Sequence, residues 1–155
     1  MNLHQRWAAG VEYLGTNFCG WQSQAGLPAI QSEVESALSS VANHAVAISA
    51  AGRTDAGVHA FQQVIHFDSA ASRTPYAWLL GSNSQMGPDV ALRWIRAATL
   101  DFHARHSAIA RSYRYVIHCG ASRSALTCGR AAWHPPRVDG CPSPSASAHN
   151  RAGCR

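Results

Sequence analysis

A chain of 155 residues with 46% apolar content is long enough for one domain with a buried core. It has no apolar run long enough to span a bilayer, and its opening MNLHQRWAAG lacks the apolar stretch of an export signal, so the expectation is a cytoplasmic protein with no membrane contact. Thirteen cations, all arginine, against eight acidic residues give a formal charge of +5, which points toward a polyanionic partner; a GC-rich genome accounts for the absence of lysine.

In chain order, residues 6–14 read as an opening strand, followed by the Gly-, Asn- and Ser-rich loop YLGTNFCGWQSQAGLP. From Ile30 the apolar residues Ile30, Val34, Ala37, Leu38 and Val41 recur at helical spacing, with Glu33 and Glu35 near the favourable N-terminal end and a stop near Asn43. A short strand over Ala45 to Ala50 leads into the loop AGRTDAGVHA, and a half-buried strand follows over about Gln62 to Phe67. Thr74 and Pro75 read as N-cap and first residue of a second helix, with Tyr76, Leu79 and Leu80 facing the core. After the turn MGPD comes a strand over about Val90 to Ala97, then the irregular DFHARHSA, then a strand over Ser112 to Cys119 in which Tyr113, Tyr115 and Ile117 alternate with Arg114, Val116 and His118. This order suits an α+β fold, a mostly antiparallel sheet with helices on one face. Beyond Trp133 the sequence is dense in Pro, Ser, Ala and Gly, so residues 135–155 are expected to be disordered and residues 1–134 to form the domain.

Cysteines at 19, 119, 128, 141 and 154 include no C-x-x-C pair, and the histidines have no zinc-like spacing with them, so free thiols and no metal site are expected. The sharpest chemical signal is Gly52-Arg53-Thr54-Asp55-Ala56-Gly57-Val58-His59-Ala60, set between two strands. Its glycines let the backbone turn tightly around a short acidic side chain, and Arg53 lies close enough to Asp55 to address the same site. The plain alternative is a surface turn, since Asp and Gly favour turns everywhere.

The loop AGRTDAGVHA is similar to the catalytic loop of the tRNA pseudouridine synthase A family. Tyr13, Gly15, Phe18, Gly20, Trp21, Gln22 and Gln24 resemble that family's first loop; Asn83, Pro88 and Asp89 resemble its middle turn; and DFHARHSAIARSYRYVIH resembles its late segment. The resemblance covers residues 5–134 and implies a ferredoxin- or RRM-like N-terminal domain. It implies an isomerase that converts uridine to pseudouridine at positions 38–40 of the tRNA anticodon stem-loop, with no cofactor. Asp55 would be the essential carboxylate, as nucleophile or as base. Arg53 would enter the helical stack and help to turn out the target, and Tyr113 would pack on the flipped uracil. Arg105, Arg111 and Arg114 would meet RNA phosphate. His59 and His103 would support the loop. Read from the strand pattern alone, Tyr113 is an ordinary core tyrosine. Full-length relatives are expected to be homodimers binding tRNA, not DNA.

Two points depart from the family pattern: Leu14 stands where an acidic residue is usual, and His106 where phenylalanine is usual. The family continues for about as long again, supplying a basic partner for the catalytic Asp and apolar pocket residues. The tail after His134 therefore reads as a truncation or frameshift, and negligible isomerase activity is expected of this chain alone. The competing function is a non-catalytic RNA-binding fragment or pseudoenzyme. An aspartic protease half built on Asp55-Ala56-Gly57 fails, because no hydroxyl residue follows and the pattern is not all-β.

Overall fold

The computed structural model describes residues 4–136, and the tail expected to be disordered lies outside them apart from Pro135 and Pro136. The chain divides into two compact units, Met1–Ala108 and Ile109–Arg155.

The first unit contains β1 (Gln5–Tyr13), α1 (Ile30–Ala42), β2 (Ser49–Ala50), β3 (Ala60–Ser69), α2 (Pro75–Asn83) and β4 (Val90–Ala98). Its sheet has the order β2-β3-β1-β4 with every pair antiparallel, the split βαβ arrangement of ferredoxin-like domains. The α+β expectation holds. On the central strand β1, the odd positions Trp7, Ala9, Val11 and Tyr13 join the core with Ile30, Val34 and Leu38 of α1 and Trp78 of α2. Period-2 alternation on the strand and 3.6-residue spacing on α1 meet in one apolar layer.

Three elements differ from their sequence patterns. The strand expected over 45–50 is reduced to Ser49–Ala50. Val46 and Ile48 are buried, but their N–H groups donate to Ser39 Oγ (2.9 Å) and Glu35 Oε1 (3.0 Å), so side chains of α1 satisfy what a neighbouring strand would otherwise satisfy. The second helix starts as expected, with Thr74 Oγ1 accepting from Ala77 N at 3.1 Å and Pro75 at the first position. Its inward face is different: Trp78 and Ser82 are buried, Leu79 is partly buried against the core, and Tyr76 and Leu80 are exposed. Trp78 has the largest surface to hide, and it meets Phe67 at 5.2 Å and Trp7 at 6.1 Å between ring centroids, which fixes the rotation of the helix.

The third difference lies in the second unit. Of the strand expected over 112–119, only Ile117–Cys119 (β5) forms among the described residues, paired in parallel with Ala132–His134 (β6). Residues 111–116 are exposed and lie outside any ladder among the described residues, apart from Val116 O accepting from Ala132 N at 2.9 Å, because alternation creates a strand only where another strand pairs with it. A 3-10 turn at Ala125–Thr127 lies between the two strands, and Trp133 Nε1 donates to Gly120 O at 3.0 Å.

Candidate active site

The loop between β2 and β3 is fixed along its length. Ala51 N donates to Val64 O at 2.8 Å, and Gln63 Nε2 donates to Gly52 O at 2.6 Å. Residues Asp55–Val58 then make a tight turn, with Val58 N donating to Asp55 O at 3.2 Å and Gly57 at φ +79°. A third turn residue with positive φ is the type II signature, which favours glycine. The geometry consumes the Asp55 carbonyl and leaves its side chain exposed.

A second loop, residues 14–28, holds this turn from the flank. Tyr13, nearly fully buried, hydrogen-bonds through its hydroxyl to Thr54 Oγ1 at 2.8 Å, and its ring meets that of Trp21 at 5.7 Å. Trp21 N donates to Thr54 O at 2.9 Å, and Gly15 N donates to His59 Nδ1 at 2.9 Å. Two contacts are backbone against backbone. A Cβ on Gly15 would lie 2.1 Å from Val58 O, and one on Gly20, itself at φ +101°, would lie 2.8 Å from Thr54 O.

The same loop caps α1. Ala29 offers no side-chain cap, so Ile30 N and Gln31 N donate instead to Gly20 O (3.3 Å) and Trp21 O (3.0 Å). Asp89 of the turn before β4 joins in: its carbonyl accepts from Leu14 N at 2.8 Å and its Oδ2 from Asn17 Nδ2 at 2.9 Å. Three blocks far apart in sequence thus form one rigid frame around Asp55. The Leu14 substitution leaves this frame intact because the contact uses its backbone.

On the opposite face of the sheet, residues 99–107 form a strap. Arg6 donates through Nε and Nη2 to both oxygens of Asp68 at 2.7 Å, and through Nη1 to Leu100 O (2.6 Å) and Phe102 O (3.0 Å). The paired hydrogen bonds hold the Asp68 carboxyl below its usual range and raise the Arg6 guanidinium. His66, buried, accepts from Ala104 N at 3.1 Å through Nδ1, and its ring lies 4.5 Å from that of His103, which lies 4.3 Å from that of His106. Burial, then the neighbouring His103 and Arg6, lower the His66 pKa against the opposing pull of Asp68. His106 thus adds a tilted ring to this cluster. His59 ties the 52–60 loop to Gly15, whereas His103 supports the strap: its Nδ1 accepts from Arg105 N at 3.2 Å.

Of the site residues read from the sequence, Arg53 and Asp55 share the loop, Arg53 lying two residues before the turn, both exposed, and form no ion pair with each other among the described residues. Arg105 is exposed at the strap. Tyr113, about half exposed, and the exposed Arg111 and Arg114 belong to the second unit. The residues that sequence reasoning did not single out are Thr54, which ties the turn to Tyr13, and Arg6 and His66, which anchor the strap. A buried His on a strand gives no signal by spacing alone.

A family model described as tRNA pseudouridine synthase matches residues 9–107, the span that contains every element of this frame. The chain belongs to the tRNA pseudouridine synthase family. Curated relatives named tRNA pseudouridine synthase A agree. The Coxiella burnetii (strain Dugway 5J108-111) protein is 49% identical over 134 residues, covering 86% of this chain and 51% of that protein. The Buchnera aphidicola subsp. Schizaphis graminum protein is 50% identical over 123 residues, 79% of this chain and 47% of the relative. The Aeromonas hydrophila protein is 54% identical over 121 residues, 78% and 45%. The chain therefore spans about half the length of the pseudouridine synthases it matches.

Proposed function

We propose that this chain carries the catalytic loop of a tRNA uridine-to-pseudouridine isomerase acting at positions 38–40 of the anticodon stem-loop. The observation that supports it is an exposed Asp55 carboxylate on a turn whose backbone is fixed on both sides, within a chain half identical to tRNA pseudouridine synthases A. A reaction that needs one carboxylate placed accurately gains most from such a frame.

The isomerisation conserves atoms. The bond from uracil N1 to C1′ breaks, a bond from C5 to C1′ forms, the C5 proton is lost and N1 gains one. No oxidant, reductant or net water enters. Asp55 acts on the nucleoside as nucleophile or as base on the ribose. Arg53, two residues before it on the same loop, occupies the place left in the stack by the everted uridine. Tyr113 packs on the flipped uracil, and Arg105, Arg111 and Arg114 contact phosphate. A cytoplasmic location and a homodimer of the full-length enzyme across which tRNA binds belong to the same reading.

The test grafts residues 5–134 of this chain in place of the matching half of the Coxiella burnetii relative and measures pseudouridine in an unmodified tRNA with uridine at positions 38–40. Product is expected, with a loss of roughly a thousandfold or more for Asp55→Ala while tRNA binding is kept. Equal product from the Asp55→Ala chimera would overturn the assignment and leave the RNA-binding reading.

A further inference from the structure

The sheet face opposite the helices is only partly covered by the strap. At the end nearest the catalytic loop it carries Glu12 and Gly10 of β1, with β3 on one side and β4 on the other. The register of β1 with β3 shifts between Val11 and Tyr13, so that both Phe61 and Gln62 stand opposite Glu12. The register of β1 with β4 shifts between Gly10 and Val11, so that Arg93 is the extra residue on that side. Bulges re-aim side chains, and here two of them flank the same stretch of the central strand.

The side chains so presented share a chemistry. Phe61 is 81% exposed, although Ile65, His66, Phe67 and Ser69 later in the same strand are buried. The Trp94 indole lies directly on Gly10, where an added Cβ would sit 2.3 Å from Nε1, and the Arg96 guanidinium stacks on that indole at 4.7 Å. Arg93 pairs with Glu12 (3.2 Å) and so offsets the one carboxylate at these positions. Flat aromatic and guanidinium groups beside neutralised acid suit unpaired nucleobases on a phosphate backbone better than an apolar protein surface.

We infer that Phe61, with Trp94 and Arg96 on the far side of β1 on the same sheet face, is a stacking platform for an unpaired base of the RNA that presents its uridine to Asp55. This rests on the proposed function, which it deepens by naming a positioning residue. Phe61 touches no reacting atom; it holds the strand in register.

The experiment measures binding of an unmodified anticodon stem-loop RNA to the full 155-residue chain by fluorescence anisotropy, beside a fully paired RNA of equal length. Phe61→Ala is expected to weaken stem-loop binding about tenfold, to leave the paired control and the thermal midpoint unchanged, and to be rescued by Phe61→Tyr. A merely structural role would lower the midpoint and would not discriminate between the two RNAs. Stem-loop affinity unchanged in Phe61→Ala overturns the inference, as does a change in self-association by sedimentation with RNA affinity unaltered. Either result leaves the proposed function standing so long as Asp55→Ala still abolishes product in the chimera.

Discussion

The Gly52–Ala60 loop and the strap are both irregular segments tied to one sheet, and they are tied by different means. The loop is fixed by backbone pressed on backbone, Gly15 against Val58 and Gly20 against Thr54, with the Tyr13–Thr54 bond beside them. The strap is fixed by ionisable side chains reaching out of the strands, Arg6 to the carbonyls of 100 and 102 and His66 to the amide of Ala104. Close backbone packing leaves no room for adjustment, which suits the role proposed for Asp55, a carboxylate held still. Side-chain anchors make the strap responsive to pH.

Gly20→Ala sharpens this contrast most. The new Cβ meets a backbone oxygen at 2.8 Å and sits at φ +101°, so stability measured by urea denaturation is expected to fall by about 3 kcal/mol. Amide protection should be lost first at Trp21 and Val58, while Ala104 keeps its own. Equal loss at Ala104 would break the distinction between the two segments.

Acid acts on the strap. His66 has a folded pKa below its ordinary 6.5, so the unfolded chain binds the extra proton more readily. The His66 contribution is fully present above pH 6.5 and falls away as pH drops below it toward the folded value, by at most about 1.4 kcal/mol per pH unit. Asp68, with its pKa depressed by Arg6, adds a further loss only as pH falls below its ordinary 3.8. Exchange at the Ala104 amide over that upper range is expected to accelerate relative to a model peptide, and His66→Asn, which keeps an acceptor that does not titrate, should flatten the profile. An unaltered profile in that variant would assign the effect elsewhere.

The smallest effect is expected of Tyr13→Phe. It removes one hydroxyl bond to Thr54 and keeps the ring against Trp21, so the thermal midpoint should fall by an amount matching about 1 kcal/mol. A loss as large as that of Gly20→Ala would mean that the hydroxyl bond, and not backbone packing, holds the loop.

Much of this was open to reading in the sequence. The N-cap at Thr74, the apolar stripe from Ile30 to Leu38 and the alternation of β1 all appeared where local chemistry put them. The glycine-bounded acidic loop announced itself between two strands. Local pattern failed where a partner from elsewhere decided the outcome. Val46 and Ile48 looked like a strand but gave their N–H groups to α1, and Tyr113 and Tyr115 alternated without a strand to pair with among the described residues.

The amino-acid order by itself determined which residues can turn, cap and alternate, because those properties depend on dihedral preference and on side chains a few positions away. Tertiary structure alone decided that residues 13, 15, 20, 54 and 59 form one frame, that Trp78 rather than Tyr76 or Leu80 turns inward, and that Phe61 faces solvent. Each of these rests on contact between segments distant in the chain, and only packing in three dimensions brings such segments together.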